Sequence, residues 1–197
     1  MEKLLYEKSL SNKLNRCPWC LKNELYMRYH DEEWGVAVHD DLKHFEFLIL
    51  ETFQAGLSWY TILNKRENFR KAFEGFIPEK VANYGERKLQ SLMQDTGIVR
   101  NKMKIEAAIS NAKAFVIVQN QFGTFDKYIW GFVDNKQVKN KWNLISEVPA
   151  KTELSDRISA EMKKRGFKIV GSTTIYAHLQ AIGIVNDHLC ECFRYSK

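Results

Sequence analysis

Cysteine and histidine gather at two places far apart in this chain, and that distribution constrains the fold more than any other feature. Cys17, Cys20 and His30 form one group; His188, Cys190 and Cys192 form the other. Together they are all four cysteines and two of the five histidines among 197 residues. A metal held between the groups would oblige the fold to bring early and late residues together. His188 and Cys192 stand at i and i+4 and would share a helix face, with Asn186-Asp187 as a cap. Cys17 and His30 could supply two more ligands, giving a zinc site of two thiolates and two imidazoles. A rival all-cysteine set, Cys17, Cys20, Cys190 and Cys192, stays open, although Cys190 and Cys192 would diverge on a helix. Either set fills a tetrahedron and leaves no place for an activated water.

The rest of the chain reads as an all-α bundle of short helices in one domain. A hydrophobic fraction of 45% supports a sizeable core. No run of apolar residues is long enough to span a membrane, and Met1 to Arg16 lack the apolar stretch of a signal peptide. The chain is therefore expected in the cytoplasm, where its cysteines suit a metal better than disulfides. Helical periodicity marks Leu42 to Phe53, a helix from Trp59 capped by Ser58, and a short one opened by Pro78. It continues at Leu89 to Met93, stopped by Gly97, then at Ile105 to Val116, Ile158 to Met162 and Ile175 to Ile182. Residues 132–154 are polar and read as a long irregular loop. The net charge of +6 and the basic clusters at Lys65-Arg66, Arg70-Lys71, Arg100 to Lys104 and Lys163 to Lys168 favour nucleic acid as the macromolecular partner.

One helix carries a chemical anomaly. Phe45 to Phe53 is apolar nearly all the way round, which predicts a buried helix, yet it contains Glu51. A lone buried carboxylate costs several kcal/mol unless it is paired or protonated, so its presence points to function. Gly56 permits a sharp turn that returns Trp59 towards Glu51. A carboxylate beside an indole suits a flat, cationic or proton-rich heterocycle. Trp19, Tyr26, Tyr29 and Trp34 add aromatics around Asp31-Glu32-Glu33. Farther on, Leu92 to Lys102 reads as helix, glycine turn and basic helix start, where backbone N–H groups beside Arg100, Lys102 and Lys104 would bind phosphate.

Several longer motifs resemble one family. Tyr29-His30-Asp31-Glu32-Glu33-Trp34-Gly35-Val36, Gln54-Ala55-Gly56-Leu57-Ser58-Trp59, Lys65 to Phe69, Lys164 to Lys168 and Gly183 to His188 look like the Tag-type 3-methyladenine DNA glycosylases, in order and with matching spacing. The resemblance implies a helix–hairpin–helix glycosylase fold over residues 15–197, preceded by an extension at 1–14. It implies one structural zinc on Cys17, His30, His188 and Cys192. Glu51 falls on the glutamate that recognises the base, Trp59 on the stacking tryptophan and Tyr29 on the pocket tyrosine, with Trp19 and Trp34 as further pocket aromatics. The DNA-anchoring hairpin falls on Thr96 to Lys102, with backbone contacts from Gly97, Ile98, Val99, Arg100 and Lys102. Val99 stands where the broader superfamily often has a second glycine. The implied activity is a monomeric, cytoplasmic bacterial enzyme that hydrolyses the N-glycosidic bond of 3-methyladenine in alkylated double-stranded DNA, without strand cleavage, releasing the free base. The alternative is a catalytically silent zinc protein of the same fold that binds damaged DNA.

Overall fold

The structure is a computed structural model, and it describes residues 14–196. All of the expected N-terminal extension except Leu14 lies outside the described residues. After a 3-10 turn at Pro18–Lys22 come α1 (Glu24–Glu32), α2 (Asp41–Gln54) and α3 (Trp59–Ala72). Then follow α4 (Pro78–Ala82), α5 (Glu86–Gln94), α6 (Lys102–Phe122) and α7 (Phe125–Trp130). The last helices are α8 (Glu153–Lys164) and α9 (Ser172–Ala181). Local chemistry sets most of these starts. The side chains of Asn23, Asp40, Ser58, Asn101, Thr124 and Thr152 each accept a hydrogen bond from the backbone N–H three residues on, satisfying an orphan donor of the first turn.

Helix α2 is the centre of the molecule: every residue from His44 to Phe53 is buried. Its Phe45 meets Phe115 of α6 edge-on at 5.1 Å, and Phe115 stacks on Phe125 of α7 at 4.2 Å. On the other side Phe53 packs edge-on against Phe69 of α3 at 4.8 Å. The C-terminus of α2 is held by a cation, since Lys104 Nζ donates to the carbonyls of Phe53 at 2.8 Å and Ala55 at 2.6 Å. Gly56, at φ +77°, then turns the chain into α3. Of the basic residues at the start of α6, Lys104 thus faces inward and is lost to any phosphate site.

Two expectations need correction. Residues 132–154 are not wholly irregular: β1 (Val138–Lys139) pairs in parallel with β2 (Val185–Asn186), and a 3-10 turn spans Ile145–Glu147. Two-residue strands are too short for alternation to show in sequence. Nor does a helix carry His188 and Cys192. The backbone donors there form no helical ladder: some close short turns, as Cys192 N does on Leu189 O at 2.8 Å, and others go to distant partners. Cys190 N donates to Trp142 O at 2.8 Å and Phe193 N to Asn15 O at 2.9 Å. The amides of Leu189 and Arg194 point at the sulfurs of Cys17 and Cys192, each at 3.4 Å.

Candidate base pocket and metal centre

The turn from α2 into α3 opens a cavity of about 350 Å³ bordered by Glu51, Trp59, Tyr29, Trp34 and Trp19. That is small for a ligand site and fits a nucleobase better than a large cofactor. The aromatics form a connected wall. Trp19 and Trp34 lie edge-on at 5.1 Å, Trp19 and Tyr29 are 6.4 Å apart, and Tyr29 reaches Trp59 at 5.4 Å. Far helix α9 closes another side with Thr173, Tyr176, Ala177 and Gln180, spaced as one helical face.

Glu51 is only 4% exposed, its Oε2 has no hydrogen-bond partner, and neither does the Nε1 of Trp59. No Lys or Arg comes to neutralise it: among the described residues it makes no ion pair. Burial alone pushes its pKa up to about 8. Tyr29 is likewise driven well above the ordinary phenol range, by burial first and by Glu51 second. A carboxyl group and an indole N–H, both left without internal partners in an aromatic box, are the chemistry of a site that awaits a polar, planar ligand.

The four expected metal donors also meet. Ligand atoms of Cys17, His30, His188 and Cys192 lie within 4.8 Å of one another, and all four residues are buried. Sulfur to nitrogen, the distances are 3.7 Å for Cys17–His188, 3.5 Å for Cys192–His188 and 3.4 Å for Cys192–His30. A tetrahedron with bonds of about 2.3 Å to sulfur and 2.0 Å to nitrogen has such edges near 3.5 Å, so the donor set fits zinc. The outer nitrogens are anchored as metal-bound imidazoles require: His30 Nδ1 to Asp31 at 2.8 Å and His188 Nε2 to Trp34 O at 3.0 Å. Cys192 is held far below the ordinary thiol range, first by its hydrogen bond from Cys17 and then by His188 and His30. Cys20 instead donates its thiol to the Cys17 carbonyl at 3.1 Å. Neither Cys20 nor Cys190 joins the cluster.

The hairpin between α5 and α6 is built to be stiff. Asp95 accepts from Gly97 N at 2.7 Å, and Lys65 Nζ donates to the carbonyls of Thr96 at 3.1 Å and Gly97 at 3.2 Å. Ile98 is buried as its plug, Val99 is half-buried, and Arg100 and Lys102 are exposed. The N–H groups of Gly97, Ile98 and Asn101 are already engaged within the turn. Other basic clusters are partly internal: Arg66 is buried between Glu33 at 2.8 Å and Glu46 at 2.6 Å.

A mostly helical protein with a nucleobase-sized aromatic pocket around an unpaired glutamate is the class these features define. The family model for methyladenine glycosylase matches residues 19–195. DNA-3-methyladenine glycosylase 1 of Escherichia coli is 44% identical over 182 residues, 92% of this chain and 97% of the relative. The DNA-3-methyladenine glycosylase of Haemophilus influenzae is also 44% identical, over 90% of this chain and 96% of the relative. Among solved structures, the Staphylococcus aureus 3-methyladenine DNA glycosylase I, described for its recognition of 3-methyladenine, superposes with a TM-score of 0.90 at 33% identity, over 93% of this chain and 98% of that one. The chain belongs to the methyladenine glycosylase family.

Proposed function

We infer that this chain excises 3-methyladenine from alkylated DNA by hydrolysing the bond between the base and deoxyribose. One observation carries the reading: Glu51, buried and unpartnered, faces a cavity walled by aromatic rings. N3-methylation makes the base cationic within DNA, so it departs as a neutral molecule and the bond is already weakened. The enzyme needs little acid catalysis. It must extrude the nucleotide, exclude bulk water and hold the departing base.

With its pKa near 8, Glu51 carries a proton in the free enzyme at neutral pH. A cation entering beside it favours the carboxylate, so the proton leaves as the base arrives. The charge then stabilises the cationic base and accepts hydrogen bonds from its edge. Trp59 stacks on the ring, Tyr29 supplies a hydrogen bond, and Trp19 and Trp34 complete the aromatic enclosure. Water adds to the sugar carbon as the carbon–nitrogen bond breaks and gives up one proton to solvent, leaving an abasic site and the neutral base. No lysine is required for a Schiff base, so strand cleavage is not expected.

Two further parts support this reading. The rigid hairpin, with Arg100 and Lys102 exposed beside Gly97, Ile98 and Val99, anchors the DNA backbone as a helix–hairpin–helix element. Cys17, His30, His188 and Cys192 hold one structural zinc, and four protein donors leave no coordination site for water. The test uses methylated DNA, with released bases separated by chromatography. Wild type should liberate 3-methyladenine, and Glu51→Ala and Glu51→Gln should lose most of that release. Binding of alkylated DNA with no release by wild type would instead support the catalytically silent alternative.

A further inference from the structure

Asp187 precedes His188 of the Cys/His cluster, yet its hydrogen bonds reach two side chains that line the base pocket. It is 1% exposed and accepts four hydrogen bonds. Its Oδ1 receives Trp142 Nε1 and Asn140 Nδ2, both at 2.7 Å. Its Oδ2 receives the Tyr176 hydroxyl at 2.5 Å and Gln180 Nε2 at 2.7 Å. Tyr176 and Gln180 line the cavity that holds Glu51, whereas Asp187 does not.

The hydrogen-bond inventory fixes what this arrangement presents to a ligand. A phenol has one proton, and that of Tyr176 is committed to Asp187, so its oxygen can only accept from the pocket. The amide of Gln180 is oriented with its nitrogen on Asp187, which leaves Oε1 as its unclaimed end. We propose that Asp187 is a specificity-determining positioning residue: it makes the α9 side of the pocket hydrogen-bond accepting, and thereby selects a base bearing an amino group on its facing edge over one bearing a carbonyl. The proposal rests on the glycosylase reading above and adds how adenine is distinguished from guanine within it.

Substituting Asp187→Asn should invert the wall. The indole of Trp142 can only donate, so the new side-chain oxygen stays with Trp142 and Asn140. The new NH2 then falls where Oδ2 was. Tyr176 must accept from it and turn its own proton outward, and the Gln180 amide must flip to present its nitrogen. Methylated DNA supplies both bases in one assay, 3-methyladenine with an amino group at position 6 and 3-methylguanine with a carbonyl there. The ratio of 3-methyladenine to 3-methylguanine release should fall at least about tenfold in Asp187→Asn, because a mismatched polar group in a closed pocket is left unpaired. Tyr176→Phe and Gln180→Met, which each delete one acceptor, should lower the same ratio by smaller factors while zinc content stays at the wild-type value. If Asp187→Asn does not fold, these two variants decide. Loss of both bases in equal proportion, or an unchanged ratio, would overturn the proposal while leaving the glycosylase reading intact. Failure of wild type to release 3-methyladenine would overturn both.

Discussion

Replacing Glu51 with glutamine should make the protein more stable while it loses activity. The carboxyl is 4% exposed and its pKa is raised from 4.5 to about 8 by burial. A group whose folded pKa lies above its unfolded value contributes its full stability below the unfolded pKa. That contribution is lost as pH rises towards the folded pKa. For Glu51 the loss begins near pH 4.5 and is complete near pH 8. At about 1.4 kcal/mol per pH unit, wild type forfeits about 3 kcal/mol by pH 7. Glutamine has nearly the same shape and no titration, so Glu51→Gln escapes this loss. For a domain of this size the difference corresponds to a melting temperature higher by about 6 to 12 °C. Scanning calorimetry of both proteins at pH 5.5, 7 and 8.5, each loaded with zinc, measures it directly. The gap should be small at pH 5.5, wide at pH 7 and widest at pH 8.5. A variant less stable than wild type, or a gap that ignores pH, would refute the claim that burial without a partner governs this carboxyl. Glu51→Ala is the wrong probe, because its cavity would add a separate cost.

Other parts of the structure are open to equally direct measurement. Atomic absorption should find one zinc per chain, and Cys192→Ser should lose it together with at least 10 °C of melting temperature, roughly the several kcal/mol expected of a structural site; a variant without metal that melts like wild type would contradict a structural role for the metal. Arg100→Ala should weaken binding to any duplex alike and flatten the plot of log affinity against log salt by about 0.9. An unchanged slope would remove Arg100 from the DNA surface. Gly183→Ala should destabilise by about 3 kcal/mol or more in urea titration, because a Cβ there would lie 2.3 Å from the Val36 carbonyl carbon at a φ of +71°.

Helix positions were legible because their signals are local. The apolar surround of Glu51 announced a buried helix, and Ser58, Pro78 and Gly56 act where they stand in sequence. The ligand quartet was legible as a set of residue types, but its geometry was not. Spacing suggested a helix for His188 and Cys192, whereas backbone donors there go to the Cys17 sulfur and to the carbonyls of Trp142 and Asn15, all far away in sequence. No local pattern encodes such partners. The same reason hid Lys104, which by composition belongs to a phosphate-binding cluster and in fact caps α2. Helix α7, only six residues long, offers too little periodicity to be recognised. Tyr176 and Gln180 sit in an apolar helical stretch, and the polar face they share with Thr173 was the available sign that α9 borders a site.

The Cys/His cluster also has a consequence in time. Cys17 and His188 are separated by 171 residues and His30 and Cys192 by 162, yet their ligand atoms touch. A ribosome makes the first pair long before the second, so early thiol and imidazole groups must wait through nearly the whole of synthesis. Tyr29 adjoins His30, and the Trp34 carbonyl holds the His188 ring. The wall of the pocket is therefore completed by residues made late. A nascent chain interrupted before Cys192 would carry Glu51 and Trp59 but lack the closure that fixes the wall around them. On the zinc reading proposed above, only a chain translated through Cys192 would hold all four donors, so metal binding and completion of the pocket wall would come together at the end of synthesis.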